Sequence, residues 1–184
     1  MSNIRTVAVF CASQTGKDPA YMSNAREMGE ALAVAGIHIV YGGGGKGLMG
    51  ALADGHLAAG GQVTGVIPSI LRDREHQHQG LTELIVTKDM HERKRTIYER
   101  CDAAIVMPGG FGTLDELFEM LTWNQLSIHD KHIYVLNIKG FYDGLMAHLQ
   151  KTQEEGFLYD QVTKRITVCS SPTDLLSELT LLKN

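Results

Sequence analysis

Short apolar runs rich in β-branched residues alternate with longer segments of helical period, and this alternation constrains the fold more than any other feature of the chain. The runs Thr6 to Cys11, Ile37 to Tyr41, Val63 to Ile67, Glu83 to Thr87, Ala103 to Met107, His132 to Leu136 and Ile166 to Cys169 read as strands. Helices are expected over Ala20 to Ala35, Leu48 to Ala59, Met90 to Arg100, Leu114 to Ser127, Phe141 to Glu155 and Thr173 to Leu182. Strands taken in turn with helices predict an α/β fold of the Rossmann-like kind: a doubly wound, largely parallel sheet with helices on both faces. At 184 residues and 43% hydrophobic content, residues 1–184 suit one domain with a sizeable core.

Charge and cysteine usage narrow the function classes. A net charge of −4 supplies no general basic field, so long nucleic acid is not an expected partner, whereas a small anion at a local basic site is. Cys11, Cys101 and Cys169 are widely spaced and form no Cys-x-x-Cys pair, which reads as free thiols in a reducing compartment. The first residues turn polar again after a short apolar run, so neither a signal peptide nor a membrane anchor is expected. A cytoplasmic location follows.

In an open α/β sheet ligands bind beyond the carboxyl ends of the strands. Four segments follow strand ends here: Ala12 to Gly16, Gly42 to Gly50, Lys88 to His91, and Pro108 to Thr113. The last lies in Pro108-Gly109-Gly110-Phe111-Gly112-Thr113-Leu114-Asp115-Glu116, between a strand and a helix. Glycines without Cβ let backbone N–H groups approach a phosphate, and Thr113 adds a hydroxyl at the helix start. The helical period starts at Leu114 and so puts Glu116 in the first turn, where an acid ordinarily complements the helix dipole. Beside a bound phosphate it would repel the ligand unless it served a neutral part, such as sugar hydroxyls. A phosphorylated sugar or nucleotide is therefore indicated.

Other motifs admit two readings. Gly45, Gly47 and Gly50 make a literal G-x-G-x-x-G, but no acid follows at the distance that a dinucleotide ribose requires, and Gly47 after Lys46 rules out a phosphate loop of the Walker type. Either these glycines let a helix pack on the sheet or they let a ligand approach. The run His91-Glu92-Arg93-Lys94-Arg95 is either a solvated helix face or, with Met90, Ile97 and Cys101 as the buried stripe, a pair Arg93 and Lys94 leaning toward the cleft with Arg95 in solvent. In the following helix Leu114, Leu117, Phe118 and Leu121 make the main apolar stripe, and Glu116, Met120, Trp123 and Ser127 a second. The second stripe is either extra core or a contact with a second subunit.

Glu75, His76 and His78 suggest a metal only superficially, since no second ligand pair accompanies them, and no metal or cofactor is expected. No serine elbow and no Cys/His nucleophile signature is present. The polar stretch Pro68 to Gly80 is expected to be a long loop, a candidate mobile flap.

Three motifs in order, Tyr41 to Gly50, Met90-His91-Glu92-Arg93-Lys94 and Pro108 to Glu116, resemble the LOG ("Lonely Guy") family. The likeness runs from Cys11 to about Phe141-Tyr142-Asp143. The family cleaves the N-glycosidic bond of AMP and N6-substituted AMP, including cytokinin riboside 5'-monophosphates, and is often mislabelled as lysine decarboxylase. The resemblance implies a catalytic pair Arg93 and Glu116. It also implies substrate contacts at Ser13, Gly43, Gly44, Met90, Lys94, Gly109, Gly110, Gly112 and Thr113. Ala12 departs from the glycine that is commoner in the first loop. The resemblance further implies a nucleoside 5'-monophosphate as substrate and a homodimer, with the helix bearing Met120 and Trp123 as one route to it. A carrier or sensor of nucleotide or molybdenum cofactor, without turnover, is the competing reading. No pyridoxal phosphate lysine context supports decarboxylation.

Overall fold

In the computed structural model, which describes residues 4–72, 76–159 and 161–181, each apolar run becomes a strand and each periodic segment a helix. The order is β1 (Thr6–Phe10), α1 (Pro19–Val34), β2 (His38–Tyr41), α2 (Gly47–Ala58), β3 (Val63–Pro68), β4 (Glu83–Thr87), α3 (Met90–Arg100), β5 (Ala103–Val106), α4 (Phe111–Gln125), β6 (Ile133–Leu136), α5 (Asp143–Glu154), β7 (Ile166–Cys169) and α6 (Pro172–Leu181). All seven strands lie in one sheet, β4-β3-β2-β1-β5-β6-β7, and every neighbouring pair is parallel. The chain steps outward from β1 to β4, then returns to lay β5 beside β1.

Alternating residues of the central strands feed two cores. Val7, Val9, Ile105 and Tyr134 pack against Met28 and Leu32 of α1, Leu52 of α2 and Leu175 of α6. Ala8, Phe10, Val106 and Val135 point the other way, onto Ile97 of α3, Leu117 and Met120 of α4 and Leu149 of α5. Burying one such large apolar side chain contributes about 1.5–3 kcal/mol, so these two layers are what hold the helices to the sheet. Cys11, Cys101 and Cys169 are all buried free thiols.

Two helix starts near the strand ends differ from the sequence reading. Helix α4 begins at Phe111, three residues before Leu114, because Gly110 serves as its N-cap and the glycines are taken into the approach and first turn. Helix α5 begins at Asp143 rather than Phe141. Asn137 holds the chain back there, accepting from the Tyr142 N–H at 2.7 Å and donating to the Asp143 carboxylate at 2.7 Å.

The stretch Pro68 to Gly80 is not a free flap over its described length. Pro68 ends β3, Ser69–Leu71 form a 3-10 turn, and Gln77 bridges antiparallel to Gly44. The Gly45 N–H donates to the His76 carbonyl at 2.8 Å and the His78 N–H to the Gly43 carbonyl at 3.0 Å. The His78 ring then reaches Asp54 of α2 at 3.0 Å. Residues 73–75, Glu75 among them, and Leu182 lie outside the described residues.

Buried histidines give the fold a pH dependence. Burial holds His38, His56, His129 and His132 below the ordinary imidazole range. His56 is fully buried, its Nδ1 donating to the Gly29 carbonyl at 2.9 Å. In the unfolded chain these rings titrate near about 6.5. As pH falls below that value the unfolded state takes up protons first, so stability is full above it and declines toward the lower folded-state values. The urea midpoint is expected to be lower at pH 5.5 than at pH 7.5; equal midpoints would count against this account.

Candidate active site

The site forms where the strand order reverses. The last rungs between β1 and β5 are the Met107 N–H on the Phe10 carbonyl at 2.9 Å and the Ala12 N–H on the Pro108 carbonyl at 3.1 Å. Past these rungs the two chains turn to opposite faces, β1 toward α1 and β5 toward α4. A cleft of about 530 Å³ opens between them, within the range of small-molecule sites.

One wall of the cleft is the N-terminus of α4. Gly109, Gly110, Gly112 and Thr113 line it. The Leu114 N–H donates to the Gly110 carbonyl at 3.0 Å, and the N–H groups of Phe111, Gly112 and Thr113 precede it in the first turn. No side chain caps this end. Donors left in this way, at the positive end of the helix dipole, make a receptor for a phosphate. Because the helix starts at Phe111, Glu116 stands in the second turn and is no dipole cap, contrary to the sequence reading. It lines the cleft, half-buried.

Helix α3 supplies the other charged residue. Its start is fixed by Asp89, whose carboxylate accepts from the Glu92 N–H at 2.8 Å, while the Glu92 carboxylate accepts from the Lys88 N–H at 2.8 Å. This reciprocal arrangement resembles a capping box and sets the helical phase. The buried residues of the helix are Arg93, Ile97 and Tyr98; of the expected stripe Ile97 and Cys101, the residue just after the helix, are buried and Met90 is not. Met90 is instead partly exposed and lines the cleft, as does Arg93. Arg93 is only 5% exposed, and one of its terminal nitrogens donates to the Gly42 carbonyl at 3.1 Å. Arg95 is exposed, as expected.

Ser13 also lines the cleft, from the loop after β1. That loop is held by backbone packing against the start of α2. Gly47 has φ +58°, and a Cβ there would sit 2.4 Å from the Ser13 carbonyl carbon and 2.5 Å from the Gln14 nitrogen. The Met49 N–H donates to the Ala12 carbonyl at 3.2 Å. The Gly47 end of the glycine run thus packs chain on chain, while Gly42 at its other end lines the cleft. Gly43 and Gly44 do not line the cleft; they pair with residues 76–78, and the Gly44 carbonyl accepts from the Tyr41 hydroxyl at 3.0 Å.

Lys94 does not line the cleft either. Its ammonium lies 2.5 Å from Glu119 and 3.1 Å from Asp115, both on α4. Burial works against its charge, but hydrogen bonds to these two carboxylates outweigh that and raise its affinity for the proton.

The cleft is also lined by residues that the motifs did not mark: Cys11, Tyr21, Phe111, Asp115 and Phe141. Tyr21 and Phe141 meet edge to face at 5.8 Å, and Phe111 is 93% exposed. Phe111 stood inside the quoted motif, but only the true start of α4 puts its side chain at the cleft. Burial pushes the Cys11 thiol far up, and the Glu116 carboxylate adds to the effect. A thiol so held is protonated and is no nucleophile. Among the described residues no group of three or more His, Cys, Asp or Glu is placed to hold a metal ion.

Along the second stripe of α4 Met120 is fully buried and the half-buried Trp123 packs edge to face on Tyr98 at 4.7 Å, while Ser127 is exposed.

A family model described as "Possible lysine decarboxylase" matches residues 49–179. A probable cytokinin riboside 5'-monophosphate phosphoribohydrolase of Oryza sativa subsp. japonica is 40% identical over 178 residues, which are 97% of this chain and 73% of that protein. A cytokinin riboside 5'-monophosphate phosphoribohydrolase of Arabidopsis thaliana is 41% identical over 172 residues, 94% of this chain and 79% of its own. The chain belongs to the LOG family. Among solved structures, the molybdenum cofactor binding protein from Rippkaea orientalis shares the LOG chain's fold, with a TM-score of 0.72, 22% identity and 97% of each chain covered. The molybdenum cofactor carrier protein from Chlamydomonas reinhardtii gives a TM-score of 0.69 at 18% identity, again over 97% of each chain. At such identities the likeness extends to the fold alone.

Proposed function

We propose that this LOG-family chain is a phosphoribohydrolase: it hydrolyses the N-glycosidic bond of AMP and N6-substituted AMP, releasing the free base and ribose 5-phosphate. One observation carries the reading. A single cleft is lined both by the uncapped N-terminus of α4 and by the carboxylate-bearing Glu116 one turn further along the same helix. A phosphate occupies the first and leaves the ribose beside the second. A pure anion binder gains nothing from an acid so close to its phosphate.

The chemistry follows from charge. As the bond between C1' and the base breaks, positive charge develops on the ribose ring. The Glu116 carboxylate stabilises that charge, accepts hydrogen bonds from the ribose hydroxyls and orients the attacking water. The water oxygen bonds to C1', and its proton leaves with the departing base. Arg93, anchored on the Gly42 carbonyl, positions the nucleotide and assists departure of the base. Gly109, Gly110, Gly112 and Thr113 hold the phosphate, and Ser13 and Met90 border the remainder of the substrate.

Lysine decarboxylation, which the description of the family model names, relies on a cofactor lysine. Among the described residues no lysine lines this cleft, and Lys94 is engaged by two carboxylates. A single domain acting as a cytoplasmic homodimer completes the proposal. Among the described residues no helix is long and apolar enough to cross a membrane. A second copy would meet α4 through the exposed Phe118 rather than through the buried Met120.

The deciding experiment follows AMP and N6-isopentenyl-AMP by chromatography during incubation with the purified protein. Release of base and ribose 5-phosphate from both is expected. Nucleotide that stays bound and intact would shift the assignment to a carrier or sensor.

A further inference from the structure

Lys94 sits beside the two proposed catalytic residues yet points at neither the cleft nor a substrate. Its neighbour Arg93 is on α3, and its two carboxylate partners Asp115 and Glu119 flank Glu116 on α4. Tyr98, one turn along α3, extends the same contact. Its hydroxyl lies 3.3 Å from the Glu119 carboxylate and 3.4 Å from the Glu116 backbone carbonyl, so one proton is shared between two long hydrogen bonds. Tyr98 is only 3% exposed, with its ring against Phe10 and Trp123. Burial, then the Glu119 and Glu116 carboxylates, keep its phenol protonated, so it acts as a donor.

We propose that Lys94, Glu119 and Tyr98 are positioning residues that lock α3 to α4, fix Arg93 relative to Glu116, and offset one of the two negative charges that Asp115 and Glu119 place next to the phosphate site. The inference rests on the phosphoribohydrolase reading. Its physical basis is twofold. Asp115 lines the cleft, and an uncompensated second anion there would oppose a phosphate at the helix N-terminus. Misplacing a catalytic group by about 1 Å can cost up to about 10²-fold in rate, so a brace between the two helices has a large effect without touching substrate.

The test compares Lys94→Met, Lys94→Met with Glu119→Gln, and Tyr98→Phe, with kcat and KM for AMP measured well below each melting temperature. Lys94→Met is expected to lower kcat about tenfold or more and raise KM, and the double variant to recover part of both because one uncompensated anion is gone. A lysine that contacted the phosphate directly would give a double variant no better than the single one, and that result would overturn the inference. Tyr98→Phe keeps the packed ring and provides a second route. It is expected to lower kcat severalfold at constant KM, and to cost nothing more in a Glu116→Gln background. Unchanged kcat in Tyr98→Phe, or the same loss with and without Glu116, would also overturn it. A wild type that releases no base sinks the phosphoribohydrolase reading and this inference with it, whereas an active wild type whose variants fail these comparisons sinks this inference alone.

Discussion

Glu116→Gln is expected to lose about 10²–10³ in turnover, the usual cost of removing one preorganised electrostatic contributor, while keeping the fold. The side chain is half-buried in the second turn of α4, has no capping duty there, and is replaced by an isostere. What disappears is the negative charge that faces the ribose as it becomes cationic. Nucleotide affinity is expected to hold or improve, since an anion near the phosphate is removed. Single-turnover rates together with calorimetric binding of AMP check both halves. Turnover equal to wild type would take Glu116 out of the mechanism, and lost binding would make it a ligand contact rather than a catalytic group.

Gly42→Ala is expected to cost about as much as damage to Arg93 itself, on the order of 10²-fold in kcat. A Cβ at Gly42 would lie 2.0 Å from a terminal nitrogen of Arg93 and 2.8 Å from the Met49 methyl. The guanidinium must therefore leave the Gly42 carbonyl that now holds it at 3.1 Å. The displaced group is the flexible end of a side chain, so the sheet is expected to survive and the catalytic geometry is not. Far-UV circular dichroism and kcat measured side by side separate the two; native spectrum with native kcat would show that Arg93 tolerates the shift.

Much of this arrangement was legible in the sequence. The seven strands came from apolar runs too short to be helices, and the parallel sheet from their alternation with periodic segments. The turn between β5 and α4 stood out as a candidate anion site because it sets three glycines and a threonine between a strand and a helix, and these residues line the cleft. What escaped was what depends on contacts between distant segments. The start of α4 was misplaced by three residues, since glycines read as loop while the N-cap is set by the backbone. The same shift hid Phe111 and changed the duty of Glu116. The burial of Arg93 was not legible because an arginine at 5% exposure is improbable until Gly42 provides its acceptor. The pairing of Lys94 was not legible because its partners, Asp115 and Glu119, lie on the next helix, beyond β5.

The reversal of strand order between β1 and β5 has a kinetic consequence. Ser13 and Gly42 come from the loops after β1 and β2 and Arg93 and Glu116 from α3 and α4, and β1 cannot pair with β5 until about half the chain has been laid down between them. No short fragment contains the site, and a partly folded chain with β1 to β3 assembled still lacks both charged residues. Such long-range parallel pairing is slow to form. Catalytic competence is therefore expected to arrive late in folding and to vanish with the sheet as a whole.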